Sequence, residues 1–369
     1  MQLDEIIETV HEALWADTSI AAQRGEADSL ETNIRPLLGS IAPLVSAGVA
    51  NQVVDEVQAR IDGLGPLHAL GADAAVSEIM VNGDGWVWVE RAGRLERTDR
   101  QLDPAVTMQL IRRLASHVGR TIDLRSPSVD VRLDDGSRLH AIVPPLAVDG
   151  PCVTIRRFAA RTFALGDLAE PEAVAVLERA VGDAQTIIVA GGTSSGKTTM
   201  LNALAAGLDP DARIVTIEDA AELRLPGRHV VRLETRRATE TTPEVTLRDL
   251  ARHALRMRPD RIVCGEMRGS EALDLVQAMN TGHDGSLSTV HANTPADALR
   301  RIETMMMLGD ADLPLPAIRD QLASCIDLVV MVGRGANGDR SVLSIGAVAR
   351  GEDGGWAPEI VYSRNRASL

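Results

Sequence analysis

The chain is poor in lysine and in aromatic residues, and both shortages weigh against a nucleic-acid partner. Of the 38 basic residues only Lys197 is a lysine, and all others are arginines. Aromatic residues make up 2% of the 369 residues, which leaves few rings for stacking on bases. The formal net charge of −14 also opposes general binding to phosphate backbones. These features disfavour a nucleic-acid-dependent motor and leave a local basic groove as the alternative.

Cysteine is scarce as well, and no long uninterrupted apolar run occurs. Cys152, Cys264 and Cys325 are odd in number, far apart and without metal-ligand spacing, which predicts buried thiols in a reducing compartment rather than disulfides or a zinc site. The acidic start of the chain has no signal-peptide pattern. Residues 36–54 carry no charged side chain, but proline, glycine and serine interrupt them. We expect two soluble helices that meet near Gly48, and a cytoplasmic protein.

Hydrophobic periodicity divides the chain into three regions. Residues 1–60 show helical spacing and predict a helical region. Residues 61–158 predict a smaller α+β domain with a strand at 78–83, hairpins at 86–97 and 129–145, a helix from Asp103 and a strand at 152–158. Residues 159–369 begin with a linker and then alternate strands and helices, which is typical of an α/β domain with a doubly wound sheet. Its predicted strands are 213–219, 260–266, 287–291 and 325–332, and its predicted helices are 171–181, 246–257 and 270–280.

A glycine-rich segment, TIIVAGGTSSGKTT at residues 186–199, stands at the start of the α/β domain. Its glycines, Lys197 and Thr198 fit the pattern G-x-x-x-x-G-K-[ST] after an apolar strand, which is typical of a P-loop. Backbone N–H groups of such a loop bind a polyphosphate, Lys197 reaches the terminal phosphates and Thr198 ligates Mg²⁺. A turn without ligand is the alternative, but an arginine-rich chain that keeps its one lysine here disfavours it. The predicted nucleotide-binding residues are Gly191, Gly192, Thr193, Ser194, Ser195, Gly196, Lys197, Thr198 and Thr199.

Carboxylates follow two further apolar strands of this domain. Glu266 ends the run DRIVCGE, where a P-loop protein holds magnesium or orients the attacking water, and it is the first candidate for general base. Glu218, Asp219 and Glu222 end the preceding strand and enter a turn. At least one of them is expected to reach Mg²⁺ or its water shell, but Mg²⁺ takes too few protein ligands to use all three. A solvated or turn-capping charge is the alternative for each.

Two histidines bracket the predicted strand at 287–291. His283 and His291 are eight residues apart and share a face only if the strand is regular. They are candidates for contact with phosphate, a metal ion or a neighbouring domain, and nothing near them indicates zinc. A structural role is the alternative, and it weighs more for His283 than for His291.

Four segments in order carry a resemblance to a known family. They are GGTSSGKTT at 191–199, VTIEDAAEL at 215–223, LRMRPDRIVCGEMRG at 255–269 and TGHDGSLSTVHANTP at 281–295. The chain resembles the secretion ATPases of type II and type IV secretion and of type IV pili. Its first half, with VSEIMVNG and TIRRF, is most similar to the CpaF or TadA branch, which serves the tight-adherence (Flp) pilus. The likeness covers roughly residues 61–332.

The resemblance implies a cytoplasmic homo-hexameric ATPase at the inner face of the membrane. Each subunit would have an α+β domain and a RecA-like domain with ATP and Mg²⁺ between them, and would drive pilin assembly through an inner-membrane platform. The resemblance assigns these roles: Walker A to Gly191–Thr199, the Asp box to Glu218, Asp219 and Glu222, Walker B to Gly265 and Glu266, and the His box to His283 and His291. For Mg²⁺ the candidate ligands are Thr198 of the P-loop pattern and Glu218, with the choice among the Asp-box acids left open.

Two arginines, Arg232 and Arg236 of VRLETR, match phosphate-sensing or finger arginines of this family. On a regular strand both guanidinium groups would leave the same face. Gly265 stands where other P-loop enzymes have aspartate, so metal ligation shifts toward the Asp box or water. The alternatives are another secretion or retraction ATPase and a non-hydrolysing switch, and Glu266 argues against the latter. Three arginines of the first domain could reach the nucleotide or be surface charge: Arg138, Arg156 and Arg157.

Overall fold

The computed structural model describes residues 2–16, 30–91, 93–157, 163–236, 238, 242–309, 313–335, 339–351 and 355–364. The chain divides into two compact units, Met1–Ala160 and Arg161–Leu369. The boundary that the sequence predicts, between residues 158 and 159, lies two residues before this division.

Helices open the first unit, as the periodicity predicts. They are α1 (Leu3–Ala16), α2 (Leu30–Ile41) and α3 (Ala47–Asp62). Their apolar stripes form one cluster, in which Val10, Leu14 and Ile34 are fully buried. The break between α2 and α3 falls just before Gly48, because the Ser46 hydroxyl accepts the Val49 N–H and caps α3. Among the described residues, no helix has the length and apolar character needed to cross a membrane.

An antiparallel sheet forms the rest of the first unit. Its strands are β1 (Val76–Val81), β2 (Trp86–Arg91), β3 (Arg94–Gln101), β4 (Ser128–Arg132), β5 (Arg138–Ile142) and β6 (Cys152–Arg156), in the order β3-β2-β1-β6-β5-β4. A 3₁₀ turn (Gly65–Leu67), α4 (His68–Ala72) and α5 (Pro104–His117) accompany it. Both predicted hairpins are confirmed. Ala92 lies outside the described residues, and Gly93, just before β3, has a φ of 80°.

The second unit contains the α/β domain. Its helices are α6 (Leu165–Leu168), α7 (Pro171–Gly182), α8 (Lys197–Ala205), α9 (Leu247–Leu255), α10 (Glu271–Met279), α11 (Pro295–Met307) and α12 (Leu315–Cys325). Its strands are β7 (Ile187–Gly191), β8 (Ile214–Glu218), β9 (Val230–Glu234), β10 (Arg261–Cys264), β11 (Leu287–His291), β12 (Leu328–Arg334), β13 (Arg340–Arg350) and β14 (Trp356–Ser363).

These strands form one sheet in the order β14-β13-β12-β7-β11-β10-β8-β9. Neighbours from β12 to β9 are parallel, and β13 and β14 add an antiparallel edge. Every residue of β7 is buried, as expected for a strand with helices on both faces. Ile187 and Val189 join one apolar cluster and Ile188 and Ala190 another. The loops that follow β7, β8, β10 and β11 therefore meet at one edge of the sheet.

The predicted strands and helices of this domain exist, with one shifted boundary. The last predicted strand begins too early, because Cys325 ends α12 and β12 starts at Leu328. The prediction also omitted α11, α12, β13 and β14. In β13 and β14 the alternation of buried and exposed residues is irregular, with register shifts at Gly346, so the strand periodicity in this part of the chain is weak.

Candidate functional site

A tight turn joins β7 to α8 and forms the predicted P-loop. Gly196, the residue before α8, has a φ of 98°, and a Cβ there would lie 2.7 Å from Cδ of Arg340. A Cβ on Gly191 would collide with the Val332 carbonyl. Both positions therefore need glycine, one for its backbone conformation and one for close approach. The turn ends at the N-terminus of α8, where backbone N–H groups favour bound anions.

The ammonium group of Lys197 points back into this loop. Lys197 is only 8% exposed. Its Nζ donates to the carbonyl oxygens of Gly191 at 3.2 Å and Gly192 at 3.0 Å, and lies 3.3 Å from both ring nitrogens of His291. Phosphate oxygens would replace these carbonyls as charged, stronger acceptors. The one lysine of the chain is thus placed to meet a polyphosphate.

His291 connects the P-loop with the next strand of the sheet. It is the last residue of β11 and pairs in register with Gly191 of β7. Its Nδ1 lies 2.5 Å from Oε1 of Glu266, and its Nε2 lies 3.2 Å from the Thr193 hydroxyl. An ionised carboxylate only accepts, so Nδ1 carries the proton and Nε2 accepts from the hydroxyl. One imidazole therefore contacts the P-loop, its lysine and the candidate base.

The Glu266 carboxylate is engaged at both oxygens. Oε2 accepts a hydrogen bond of 2.8 Å from Arg268, whose other terminal nitrogen donates to Asp219 at 3.0 Å. Burial alone would raise the pKa of Glu266, but the hydrogen bonds from Arg268 and His291 and the nearby charges of Arg268 and Lys197 lower it below its usual range. Glu266 is therefore ionised at neutral pH, as a general base must be.

Glu218 ends β8 and is 2% exposed. Its Oε2 accepts the N–H groups of Glu222 at 2.7 Å and Leu223 at 2.8 Å, whereas Oε1 is buried without a hydrogen-bond partner in the described part of the chain. Burial raises the pKa of Glu218 to about 7 despite those two N–H donors. A Cβ on Gly265 would lie 3.2 Å from Cγ of Glu218. Gly265 thus makes room for a carboxylate that the neighbouring strand supplies.

A magnesium ion bound mainly through nucleotide phosphates fits these residues. Within the described ranges, no group of three or more His, Cys, Asp or Glu residues forms a metal cluster. Mg²⁺ commonly takes one or two carboxylates and completes its shell with phosphate oxygens and water. The unpartnered Oε1 of Glu218 is an acceptor that such an ion would satisfy. Thr198, in the first turn of α8, and Glu218 are the residues that would hold it.

The two predicted finger arginines have backbone partners in this structure. Arg232 donates to the Ala221 carbonyl at 2.9 Å, and Arg236 donates to the Pro243 carbonyl at 3.3 Å. β9 ends at Glu234 and Arg236 lies beyond it, in an isolated bridge to the following segment, so the two guanidinium groups have different partners. Their common face stays a prediction. Both side chains are exposed.

The two histidines lie at opposite ends of β11. His283 precedes the strand, its Nδ1 lies 2.9 Å from the Ala278 carbonyl, and its own carbonyl accepts from the Ser286 hydroxyl. A strand of five residues spans roughly 13 Å. In the described part of this chain, His291 therefore reaches the P-loop and His283 serves the turn before β11.

Two of the three first-domain arginines considered as nucleotide contacts, Arg156 and Arg157, have partners inside their own unit. Arg157 donates to the carbonyls of Asp73 and Val76. Arg156 pairs with Glu78 at 3.3 Å. These contacts connect β6 with β1 and with the turn before it, which is a structural role.

Three arginines of the site were not predicted. Arg268 holds Glu266, Arg334 donates to the Ser194 carbonyl at 2.5 Å, and Arg340 donates to the Thr199 hydroxyl at 3.3 Å. A basic residue two positions after a candidate base could have indicated Arg268. The other two flank the turn between β12 and β13, and no strand pattern pointed to a hairpin there.

A mainly parallel α/β sheet with a P-loop after β7 and a candidate base just after β10 defines a RecA-like P-loop nucleotide-binding domain. The sequence profile of the type II/IV secretion system protein family matches residues 61–334. The chain belongs to that family.

Similar proteins agree with this family. A putative conjugal transfer protein of Mycobacterium tuberculosis is 39% identical over 309 residues, which cover 80% of this chain and 87% of the relative. The type IV secretion system protein PtlH of Bordetella pertussis is 36% identical over 322 residues, covering 78% and 94%. The solved ATPase DotB of Legionella pneumophila matches with a TM-score of 0.55 and 21% identity over 76% of this chain and 78% of DotB, and this likeness concerns the fold.

Proposed function

We propose that this chain is an ATP-hydrolysing motor that drives assembly of a tight-adherence (Flp) type pilus. The observation that carries the proposal is that one imidazole, His291, contacts both the P-loop lysine and the Glu266 carboxylate. Phosphate bound at the P-loop would therefore act directly on the hydrogen bonds of the candidate base. Such a connection favours hydrolysis over simple nucleotide binding, because it links the phosphate site to a group that can activate water.

The chain's own groups account for the chemistry of phosphoryl transfer. The loop before α8 and Lys197 bind the phosphates. Mg²⁺, when bound at Thr198 and Glu218, neutralises charge on the β- and γ-phosphates. Glu266 accepts the proton of the attacking water. Both of its oxygens already accept one hydrogen bond, from His291 and Arg268, and each keeps a second lone pair that can accept this proton.

Membership of the secretion family supports a proposal for assembly and location. We propose a homo-hexameric ring in the cytoplasm, at the inner face of the membrane, that acts on inner-membrane platform proteins and only indirectly on pilins. The shortage of aromatic residues and the negative net charge support a motor without a nucleic-acid partner. The motifs of the first domain, VSEIMVNG and TIRRF, support the tight-adherence branch.

Conjugal transfer or type IV secretion is the second candidate. The curated relatives with 36–39% identity carry these names. The nucleotide chemistry would be the same, and only the platform and the transported substrate would differ.

The ATPase proposal is tested with Lys197→Ala, which should abolish ATP turnover and greatly weaken ATP binding. Lys197→Arg should not rescue turnover, because a planar guanidinium does not fit inside the closed loop. Arg300→Ala, on the exposed face of α11, is the control and should behave as wild type. Normal turnover in a folded Lys197→Ala protein would remove the P-loop assignment.

Genetic experiments in the organism decide between the tight-adherence pilus and conjugal transfer or type IV secretion. Deletion of the gene should abolish pili and surface adhesion and leave DNA transfer unchanged if the tight-adherence proposal holds. Loss of DNA or protein transfer with pili intact would favour the second candidate. Complementation with Lys197→Ala serves as the negative control in both assays.

A further inference from the structure

An aromatic ring and a guanidinium group lie together beside the P-loop. Phe163 precedes α6, and Arg340 is the first residue of β13. The guanidinium carbon of Arg340 lies 5.9 Å from the centre of the Phe163 ring. Arg340 also donates to the Thr199 hydroxyl at 3.3 Å, and its aliphatic part packs against Gly196. One arginine thus connects the P-loop glycine, the P-loop helix and a ring.

The orientation of a nucleotide in a P-loop predicts that its nucleoside lies on the side of Phe163 and Arg340. The lysine of a P-loop faces the β- and γ-phosphates, while the loop backbone holds the α- and β-phosphates. The α-phosphate and the nucleoside therefore extend away from Lys197. Thr199 lies two residues after Lys197 in α8 and contacts Arg340. The segment with α6 packs on both α8 and β13, so Phe163 lies on the elements that border this direction.

Phe163 belongs to a residue class that is rare in this chain. The whole chain has two phenylalanines and one tyrosine. Phe163 is only partly buried and packs on the edge of an apolar cluster, so the fold does not use its full surface. A ring beside a phosphate site, with an arginine over it, is a surface on which a base can stack.

We propose that Phe163 and Arg340 form the nucleoside subsite of the P-loop. The base stacks on Phe163, and Arg340 donates to the ribose or the α-phosphate. This inference rests on the proposed ATPase function. It assigns a binding site to the nucleoside, the part of the substrate that the P-loop does not contact. Stacking responds to the area of the base more than to its exocyclic groups. The subsite therefore prefers purine to pyrimidine nucleotides and separates adenine from guanine weakly.

Binding of two magnesium-complexed probes tests the subsite in the full-length protein. One probe is a non-hydrolysable ATP analogue and the other is inorganic tripolyphosphate, which has no nucleoside. Phe163→Leu should weaken the ATP analogue by about tenfold, the lower part of the range for a stacked base, and leave tripolyphosphate unchanged. Arg340→Ala should also weaken the ATP analogue; it should spare tripolyphosphate if Arg340 donates to the ribose and weaken it if Arg340 donates to the α-phosphate. Phe163→Tyr keeps the ring and should bind the analogue as wild type.

Arg350→Ala is the matched control for the arginine. Arg350 ends the same strand, β13, and pairs at the surface with Asp320 at 2.8 Å. Its loss should change neither probe. Unchanged tripolyphosphate binding also shows that each variant keeps a folded P-loop.

The possible outcomes separate the two proposals. Equal losses for both probes in Phe163→Leu would mean that the ring only supports the loop, and no loss would place the nucleoside elsewhere, so either result overturns the inference. If the variants fail to fold, nucleotide binding by the wild-type protein tests the inference. Analogues of ATP and GTP should bind within about threefold of each other and a UTP analogue about tenfold more weakly, and equal binding of all three overturns the inference. A wild-type protein that binds neither ATP nor tripolyphosphate would instead remove the proposed function.

Discussion

Glu266 shows how much of the chemistry depends on single residues and their partners. His291 and Arg268 each hold one of its oxygens, and His291 also faces Lys197. Arg268 extends the same network to Asp219. A change at the P-loop can therefore affect Glu266 through His291, and it can then affect Asp219 of the Asp box through Arg268.

Replacement of the base should separate binding from hydrolysis. Glu266→Gln keeps the shape and one acceptor oxygen but cannot take a proton from water, so we expect ATP binding to persist and turnover to fall by roughly 10² to 10⁴-fold. Equilibrium binding and single-turnover hydrolysis measure the two quantities. Glu244→Gln, at an exposed site, is the control. Normal turnover in Glu266→Gln would transfer the base role to the acids around Glu218.

At the scale of elements, the sequence predicted best where burial is complete. The strands β7 and β8 are buried throughout, so a continuous apolar run identified them. A capping box at Thr246 and Asp249 likewise marks the start of α9. The P-loop and Glu266 were predictable because their motifs follow such strands directly.

The remaining parts of the site depend on contacts that no local pattern encodes. Arg340 reaches the P-loop only because β13 pairs with β12 and β12 with β7. Arg232 lies in β9 and Arg236 lies beyond its end, and the two arginines of VRLETR contact different carbonyls. The separation of His283 from His291 follows from the start of β11 at Leu287. Each of these three features depends on where a strand begins or ends, or on the order of the strands in the sheet.

We expect the helix α1 to be sensitive to acid through one buried histidine. His11 is 3% exposed, its Nε2 has no hydrogen-bond partner among the described residues, and its ring meets His68 edge-on at 6.4 Å. Burial lowers the pKa of His11 to about 4; the nearby Arg60, Arg100 and His68 also lower it, whereas Glu8 raises it. The folded state thus binds fewer protons than the unfolded chain between pH 6.5 and 4. Stability from this group is complete above pH 6.5 and is lost as the pH falls toward 4.

Hydrogen exchange of α1 measures this loss. Protection, corrected for the intrinsic exchange rate, should fall by up to about tenfold per pH unit over that window, since one unit corresponds to about 1.4 kcal/mol. His11→Leu, which cannot be protonated, should flatten the profile. His253→Gln, at an exposed site of α9, should leave it unchanged. A profile with the same slope in His11→Leu would assign the acid sensitivity to other groups.

At the scale of the whole molecule, hydrolysis should depend on assembly. Arg236 is exposed and bound only weakly to a carbonyl, at 3.3 Å, so its guanidinium can be drawn to a γ-phosphate when subunits close. We expect Arg236→Ala to keep ATP affinity within about tenfold, or about 1.4 kcal/mol, to lose most turnover, and to lose the dependence of rate on protein concentration.

Steady-state rates across protein concentration test this expectation. Arg228→Ala, another exposed arginine just before β9, is the control and should keep both the rate and its concentration dependence. A wild-type rate per subunit that is flat from dilute to concentrated protein would contradict assembly-coupled hydrolysis. Full turnover in Arg236→Ala with the concentration dependence intact would make this arginine a surface charge.

The burial of the one lysine gives the protein a chemical reporter of its own. Acylating reagents that react with amines meet a single side-chain target, Lys197, a residue that is 8% exposed and whose ammonium donates to two loop carbonyls. A phosphate bound against that ammonium would shield it further. The extent of acylation at residue 197, read by mass spectrometry, therefore reports how many subunits carry nucleotide, in an untagged protein and in the presence of its partners.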